Sequence, residues 1–288
     1  MPEIMETLAT LSLLVFVIGS MASMGLSLQM AQIIAPLKNL RLVILALVAN
    51  FILVPLLAVV ITLVIPLDEP IRIGLILLAT AAGAPFLPKL AEAAKGSTAF
   101  SVGLMVLLMV VTIIYLPVVL PLLLGGVEVS PWDIAQSLIV LMLIPLAIGL
   151  FVRARYENMA AQVQPTFGQA SNLALLVLTV AGLVLNFKEM IGLVGSLGLL
   201  AGVIFIVVSL LIGYFLGGSG DTRSVMGLGT AQRNISAALV VAGQNFDLDV
   251  ITYLMVIAVI GLVVLMPVAG ELGKRRAKAV GPAGRGHL

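Results

Sequence analysis

Runs of roughly twenty apolar residues follow one another through nearly all of this 288-residue chain, separated by short polar breaks. A bilayer core about 30 Å thick takes a helix of roughly 20 apolar residues. Main-chain N–H and C=O groups need internal partners in hydrocarbon, so such runs are helical. Transmembrane barrels show short segments of alternating polarity instead, and this sequence has none. The expected fold class is therefore all-α integral membrane. With 61% hydrophobic and only 10% charged residues, water is not the main solvent.

Nine segments are readable: about Leu8–Leu28, Leu42–Ile65, Ile71–Ala94, Phe100–Leu124, Ile134–Phe151, Ala170–Phe187, Ile191–Leu216, Val225–Phe246 and Val250–Ala269. The breaks have turn chemistry, as in Pro66–Pro70, Gly125-Gly126 and Gly217–Gly220. Glu3 and Glu6 stand where a cleavable signal peptide has positive residues, so the first run is expected to stay as a helix. Loop charges sort by sign. Lys38, Arg41, Lys95, Arg153, Arg155, Arg223, Lys274, Arg275, Arg276 and Lys278 fall on one side. Asp68, Glu69, Glu128, Asp133, Glu189, Asp247 and Asp249 fall on the other, with Arg72 and Lys188 as its only basic residues. The positive-inside rule makes the first side cytoplasmic, placing the N-terminus outside and the C-terminus inside a cell (inner plasma) membrane.

Two segments are poor continuous helices. The third contains Gly83, Pro85 and Pro88, and each proline removes a donor and clashes with the preceding turn. The eighth contains Gly229, Thr230, Gln232, Arg233, Asn234 and Ser236 where a span should be apolar. They lie five segments apart, and an odd offset reverses direction, as in an inverted repeat. Interrupted segments at corresponding places in two halves point to a transporter's substrate site.

Arg233 is the most informative residue, because a cation at bilayer centre costs about 2.5–3.5 kcal/mol on insertion scales. It can bond unwound carbonyls, or present charge to an anion, or both. Gln232 and Asn234 supply amide donors and acceptors beside it, and Thr230 a hydroxyl. Asn50 is a lone amide in the second segment, suited to an interhelical hydrogen bond or to a ligand. Ser101 can bond back to its own helix. Lys89 follows the proline break and either faces the crossing or snorkels to the surface near Glu92 and Lys95.

Other chemistry is poorly supported. The absence of cysteine removes disulfides, thiolate chemistry and cysteine metal sites. His287 reads as a tail residue. There is no paired intramembrane carboxylate, GxSxG elbow or phosphate-binding loop, so no enzyme is expected. No cofactor, metal or nucleic-acid partner is expected, because the net charge of +2 conceals segregated membrane charges rather than a basic surface.

The whole chain resembles the bile acid:sodium symporter family. The resemblance rests on Met24–Leu28, Asn50-Phe51 before Pro55, Lys95–Leu104, and Gln232-Arg233-Asn234, in that order. It implies a panel (about 8–28 and 134–187), a core (about 42–124 and 191–269) with two discontinuous crossing helices, alternating access, and a cytoplasmic tail at 272–288. The helix absent relative to ten-helix members matches their first. The resemblance also puts the carboxylate shared by both sodium sites at Gly229 and a ligand glutamine at Arg233. The ligands after the first break fall at Leu87 and Pro88, and the helix-four pair at Ser101 and Met105. Of these four only Ser101 keeps its type; Asn50 replaces a glutamine, and the asparagine after the second crossing is retained as Asn234. Sodium is therefore doubtful, with Arg233 a tethered stand-in for it. The function expected is transport of a small or amphipathic organic anion across the lipid bilayer. A conventional sodium symporter, a metalloid exporter and a non-transporting receptor or scaffold remain rivals; the missing cysteine disfavours the exporter, and the costly paired breaks disfavour the scaffold.

Overall fold

The computed structural model describes residues 2–34, 38–125, 130–185, 196–218 and 220–280. Regular structure among these residues is helical throughout. The helices are α1 (Pro2–Ser27), α2 (Met30–Ile34), α3 (Leu40–Val64), α4 (Glu69–Thr80), α5 (Leu87–Ala93) and α6 (Thr98–Leu123). They continue with α7 (Pro131–Arg155), α8 (Glu157–Leu185), α9 (Leu197–Leu216), α10 (Asp221–Ala231), α11 (Ile235–Asn245) and α12 (Leu248–Val280). Six stretches are long and apolar enough to cross a bilayer: Thr7–Ser27 of α1, all of α3, α6, α7 and α9, and Leu248–Lys278 of α12. This is a multi-pass membrane protein.

Proline shapes two of these spans. Pro55 cannot donate to Phe51, four residues earlier, and the helix widens to a π turn over Ala49–Leu53. The freed Phe51 carbonyl accepts the Tyr115 hydroxyl of α6 at 2.7 Å. Pro145 follows a second π turn, Ile139–Leu143, in α7.

Helix α1 packs on α7 and α8. Gly25 and Gly149 allow main-chain contact at the α1–α7 seam: a Cβ on Gly25 would run into the Leu146 carbonyl, and one on Gly149 would lie 2.7 Å from Ala22 O. The α1–α8 contact is antiparallel, tied by Ser171 Oγ donating to Phe16 O (2.9 Å) and Gln164 Nε2 donating to Ser23 Oγ (2.9 Å). The remaining long helices pack around four of the short ones, α4, α5, α10 and α11. Helix α4 packs on α3, α6, α11 and α12, and α10 packs on α5, α6, α9 and α12. Leu75, Leu77, Leu108, Met109, Leu228 and Tyr253 are fully buried there.

Two boundaries differ from the sequence expectation. Helix α8 begins at Glu157, well before Ala170, because Gln164 and Gly168 of its polar first half seat on Ser23 of α1. The expected tail is helical through Val280, where Gly273 of α12 lies against the Ala93 carbonyl at the end of α5. Glu128, Lys188, Glu189, Ser219, His287 and the rest of 281–288 lie outside the described residues.

Candidate functional site at the crossing of two broken helices

The third segment breaks between Thr80 and Leu87, and the eighth between Ala231 and Ile235. In the first break, Gly83 has φ +83° and lies against the main chain of Met105 and Met109, a place with no room for a side chain. The Thr112 hydroxyl accepts from Ala82 N (2.9 Å) and donates to Ala82 O (3.1 Å), holding the unwound strand to α6. Pro85 lies in the break itself. Pro88 instead opens α5, a first-turn position where a missing N–H costs no helical bond.

In the second break, the Asn234 Oδ1 caps α11 by accepting from Ala237 N (3.1 Å). The Asn234 N–H donates to Ala81 O (2.9 Å), so the two breaks are joined directly. Each break turns one helix C-terminus and one helix N-terminus toward this junction: α4 and α10 end here, while α5 and α11 start.

Arg233 occupies the junction with 4% of its surface exposed. Its Nε donates to Leu78 O (3.1 Å), Nη2 to Ala79 O (2.7 Å), and Nη1 to Thr230 O (3.2 Å) and Asn50 Oδ1 (2.7 Å). Four of the five guanidinium donors are thus committed within the protein. The carbonyls of Leu78, Ala79 and Thr230 belong to the last turns of α4 and α10, where helical donors run out, Leu78 O keeping only a 3.2 Å bond from Ala81 N, and they carry the negative ends of two helix dipoles. One cation satisfies both ends.

Asn50 is interhelical: besides accepting from Arg233, its Nδ2 donates to Ala46 O (3.0 Å) and Thr230 Oγ1 (3.3 Å). Ser101 is not brought into this network, and its Oγ donates to Thr98 O of its own helix at 2.6 Å. Gly229 is surrounded by apolar groups: a Cβ there would lie 2.8 Å from Leu87 Cδ2 and 3.3 Å from Leu104 Cδ2, and Met105 is buried on the same helix as Leu104. Two amide atoms are buried without a protein partner, Gln232 Oε1 and Asn234 Nδ2. Lys89 is exposed on α5, its Nζ 5.5 Å from the centre of the Phe86 ring.

Sequence reasoning did not find Thr112, Tyr115 or the carbonyls of Leu78 and Ala79. Tyr115 had a readable signal, since Pro55 always leaves the carbonyl four residues earlier in need of a donor. A main-chain carbonyl has no residue type, and nothing in the sequence marks it.

Residues 13–193 match the sodium bile acid symporter family, more than half the chain, including the first break. A probable chloroplastic sodium/metabolite cotransporter, BASS3 of Oryza sativa subsp. japonica, is 24% identical over 199 residues, covering 69% of this chain and 47% of the relative. The chain thus spans about half the length of that relative. With a helix opened by Gly83 and Pro85 inside a match of this extent, the chain belongs to the sodium bile acid symporter family.

Proposed function

We propose that the protein carries a small or amphipathic organic anion by alternating access, without the sodium sites expected of its family. The observation that supports this most is the placing of Arg233. Its guanidinium lies where unwound carbonyls and two helix C-termini converge, the kind of place that binds a cation in transporters with broken helices. A sodium ion beside it would meet a fixed like charge in a medium of low dielectric. The position corresponding to the shared carboxylate, Gly229, faces Leu87 and Leu104, which offer no side-chain oxygen to a hard cation. The residues present do not fit sodium.

In this reading Arg233 organises the crossing, and Gln232 Oε1, Asn234 Nδ2 and the start of α11 remain for substrate. The chain makes nine crossings as an inverted repeat, with the N-terminus outside and the C-terminus cytoplasmic in the cell membrane. Helices α1, α7 and α8 form the panel that rocks against the core. The relative's name, sodium/metabolite cotransporter, favours a second reading, a conventional sodium symporter with ligands from elsewhere in the chain. A thermal-shift screen of organic anions in sodium and in choline buffer separates the two. The proposal expects equal stabilisation by the ligand in both; a strong sodium requirement overturns it.

A further inference from the structure

The start of α3 and the end of α9 meet where α10 begins, on the side of the C-terminus, since Arg276 of α12 reaches Asp221 there. Between them lies a cavity of about 640 Å³. Its lining changes character with depth. Leu42, Leu45, Phe215 and Leu216 belong to two apolar spans, Leu40–Val64 and Leu197–Leu216. Asn39 and Asp221 stand outside those spans, and Arg41 is in the first turn of α3. The cavity therefore crosses the edge of the hydrocarbon. Tyr214, beside Phe215, puts a phenol ring at the same level, as membrane interfaces favour. A soluble metabolite matches only the polar end, and an apolar chain only the other. A phospholipid presents both, in this order of depth.

The charges at the polar end are unbalanced. Asp221 is taken by Arg276, Nη2 lying 3.9 Å from Oδ2. Arg223 is occupied by Tyr214: its Nε donates to the Tyr214 carbonyl (3.2 Å), and its guanidinium carbon lies 4.7 Å from the ring centre. Arg41 is exposed and enters none of the ion pairs among the described residues, although it shares the cavity with Asp221. The Asn39 Oδ1 accepts from Leu42 N (3.3 Å), which leaves the Nδ2 group to donate. This end of the cavity suits an anion.

We propose that the cavity binds one anionic phospholipid from the leaflet on the side of the C-terminus, its phosphate on Arg41 and Asn39 and an acyl chain along Leu45 and Phe215. Basic pockets between transmembrane helices hold headgroups of this kind. The site shares no residue with the crossing and does not rest on the transport proposed above.

The test offers the purified full chain an equimolar mixture of dioleoylphosphatidylglycerol and dioleoylphosphatidylcholine, and counts the retained lipid by native mass spectrometry. Wild type should retain one phosphatidylglycerol in preference to phosphatidylcholine. Arg41→Gln should lower that preference about fivefold, the effect of one basic group near anionic headgroups, and Arg41→Lys should keep most of it. Lys274→Gln removes an exposed cation of α12 that does not line the cavity, and should leave the preference within about twofold of wild type. Melting temperatures confirm folding of each variant. A preference in Arg41→Gln equal to wild type, or an equal fall in Lys274→Gln, overturns the site and leaves only the general attraction of a basic surface. Glycerophosphoglycerol, the same headgroup without acyl chains, should displace no lipid even in large excess. Displacement by it overturns the lipid assignment and gives the cavity to a soluble phosphate ester.

Discussion

The two breaks reach the same geometry by opposite chemistry. The first, from Ala81 to Phe86, is made by the main chain: Gly83 takes a left-handed φ, Pro85 withholds a donor, and its side chains are apolar. The second, from Gln232 to Asn234, is made by side chains rich in N–H groups. One break therefore exposes acceptors at Leu78, Ala79 and Ala81, and the other supplies donors from the Arg233 side chain and the Asn234 main-chain N–H. The two breaks are complementary at the point where they cross, so damage to one should be felt through the other.

The largest expected effect is that of Arg233→Met. It leaves the Ala79 and Thr230 carbonyls and the Asn50 amide oxygen without their donor, while Leu78 O keeps the Ala81 N–H, and a loss of more than about 3 kcal/mol is expected, since each buried unsatisfied group costs about 1–3 kcal/mol. Thermal unfolding of the purified protein measures it, with Arg233→Lys recovering part. Stability within about 1 kcal/mol of wild type would break the comparison, because the first break would then be self-sufficient. Gly83→Ala comes next, at about 2–3 kcal/mol, since its φ of +83° and the Met105 and Met109 main chain both oppose a Cβ. Equal loss in Arg233→Met and in the double variant Gly83→Ala/Arg233→Met would sharpen it, showing that the carbonyls and the guanidinium form one unit.

Asn50→Leu should cost about 1–3 kcal/mol, because it removes one acceptor of Arg233 and a donor to Thr230. Thr112→Val should cost about 1–2 kcal/mol by stranding both Ala82 groups. If the first break tolerates that change without any fall in melting temperature, it is held by shape rather than by hydrogen bonds. Ser101→Ala, confined to its own helix, should stay within about 0.5 kcal/mol; a larger loss would give Ser101 a partner across the crossing.

The positions of both breaks were legible because Gly83, Pro85 and the polar run around Arg233 violate helix and membrane rules locally. The six long apolar spans were legible because hydropathy is a property of the residues themselves. The helical start of α8 was not, because Glu157–Gln169 is polar and carries Pro165, and its order comes from Ser23 and Gly19 on a helix far away in sequence. The two sequence readings of Arg233, carbonyl ligand and anion receptor, differ only in where its donors point. That depends on how α4 ends, which no residue in α10 or α11 specifies. Lys89 was placed by sequence either at the surface or at the crossing, and its exposure on α5 one turn after Phe86 is decided by which face Leu87 and Leu90 bury.

The contact between Gly25 and Gly149 constrains how such a chain can drift. At most packed positions a gain in volume on one helix can be matched by a loss on its neighbour, so pairs of changes pass where single ones fail. Here each glycine abuts main chain, the carbonyls of Leu146 and Ala22, which no substitution can shorten. A second mutation cannot rescue the first. Descendants of this sequence are expected to vary freely along the lipid-facing side of α1 while both glycines stay fixed, and a side chain at either position should appear only in lineages where α1 and α7 have moved apart as whole helices.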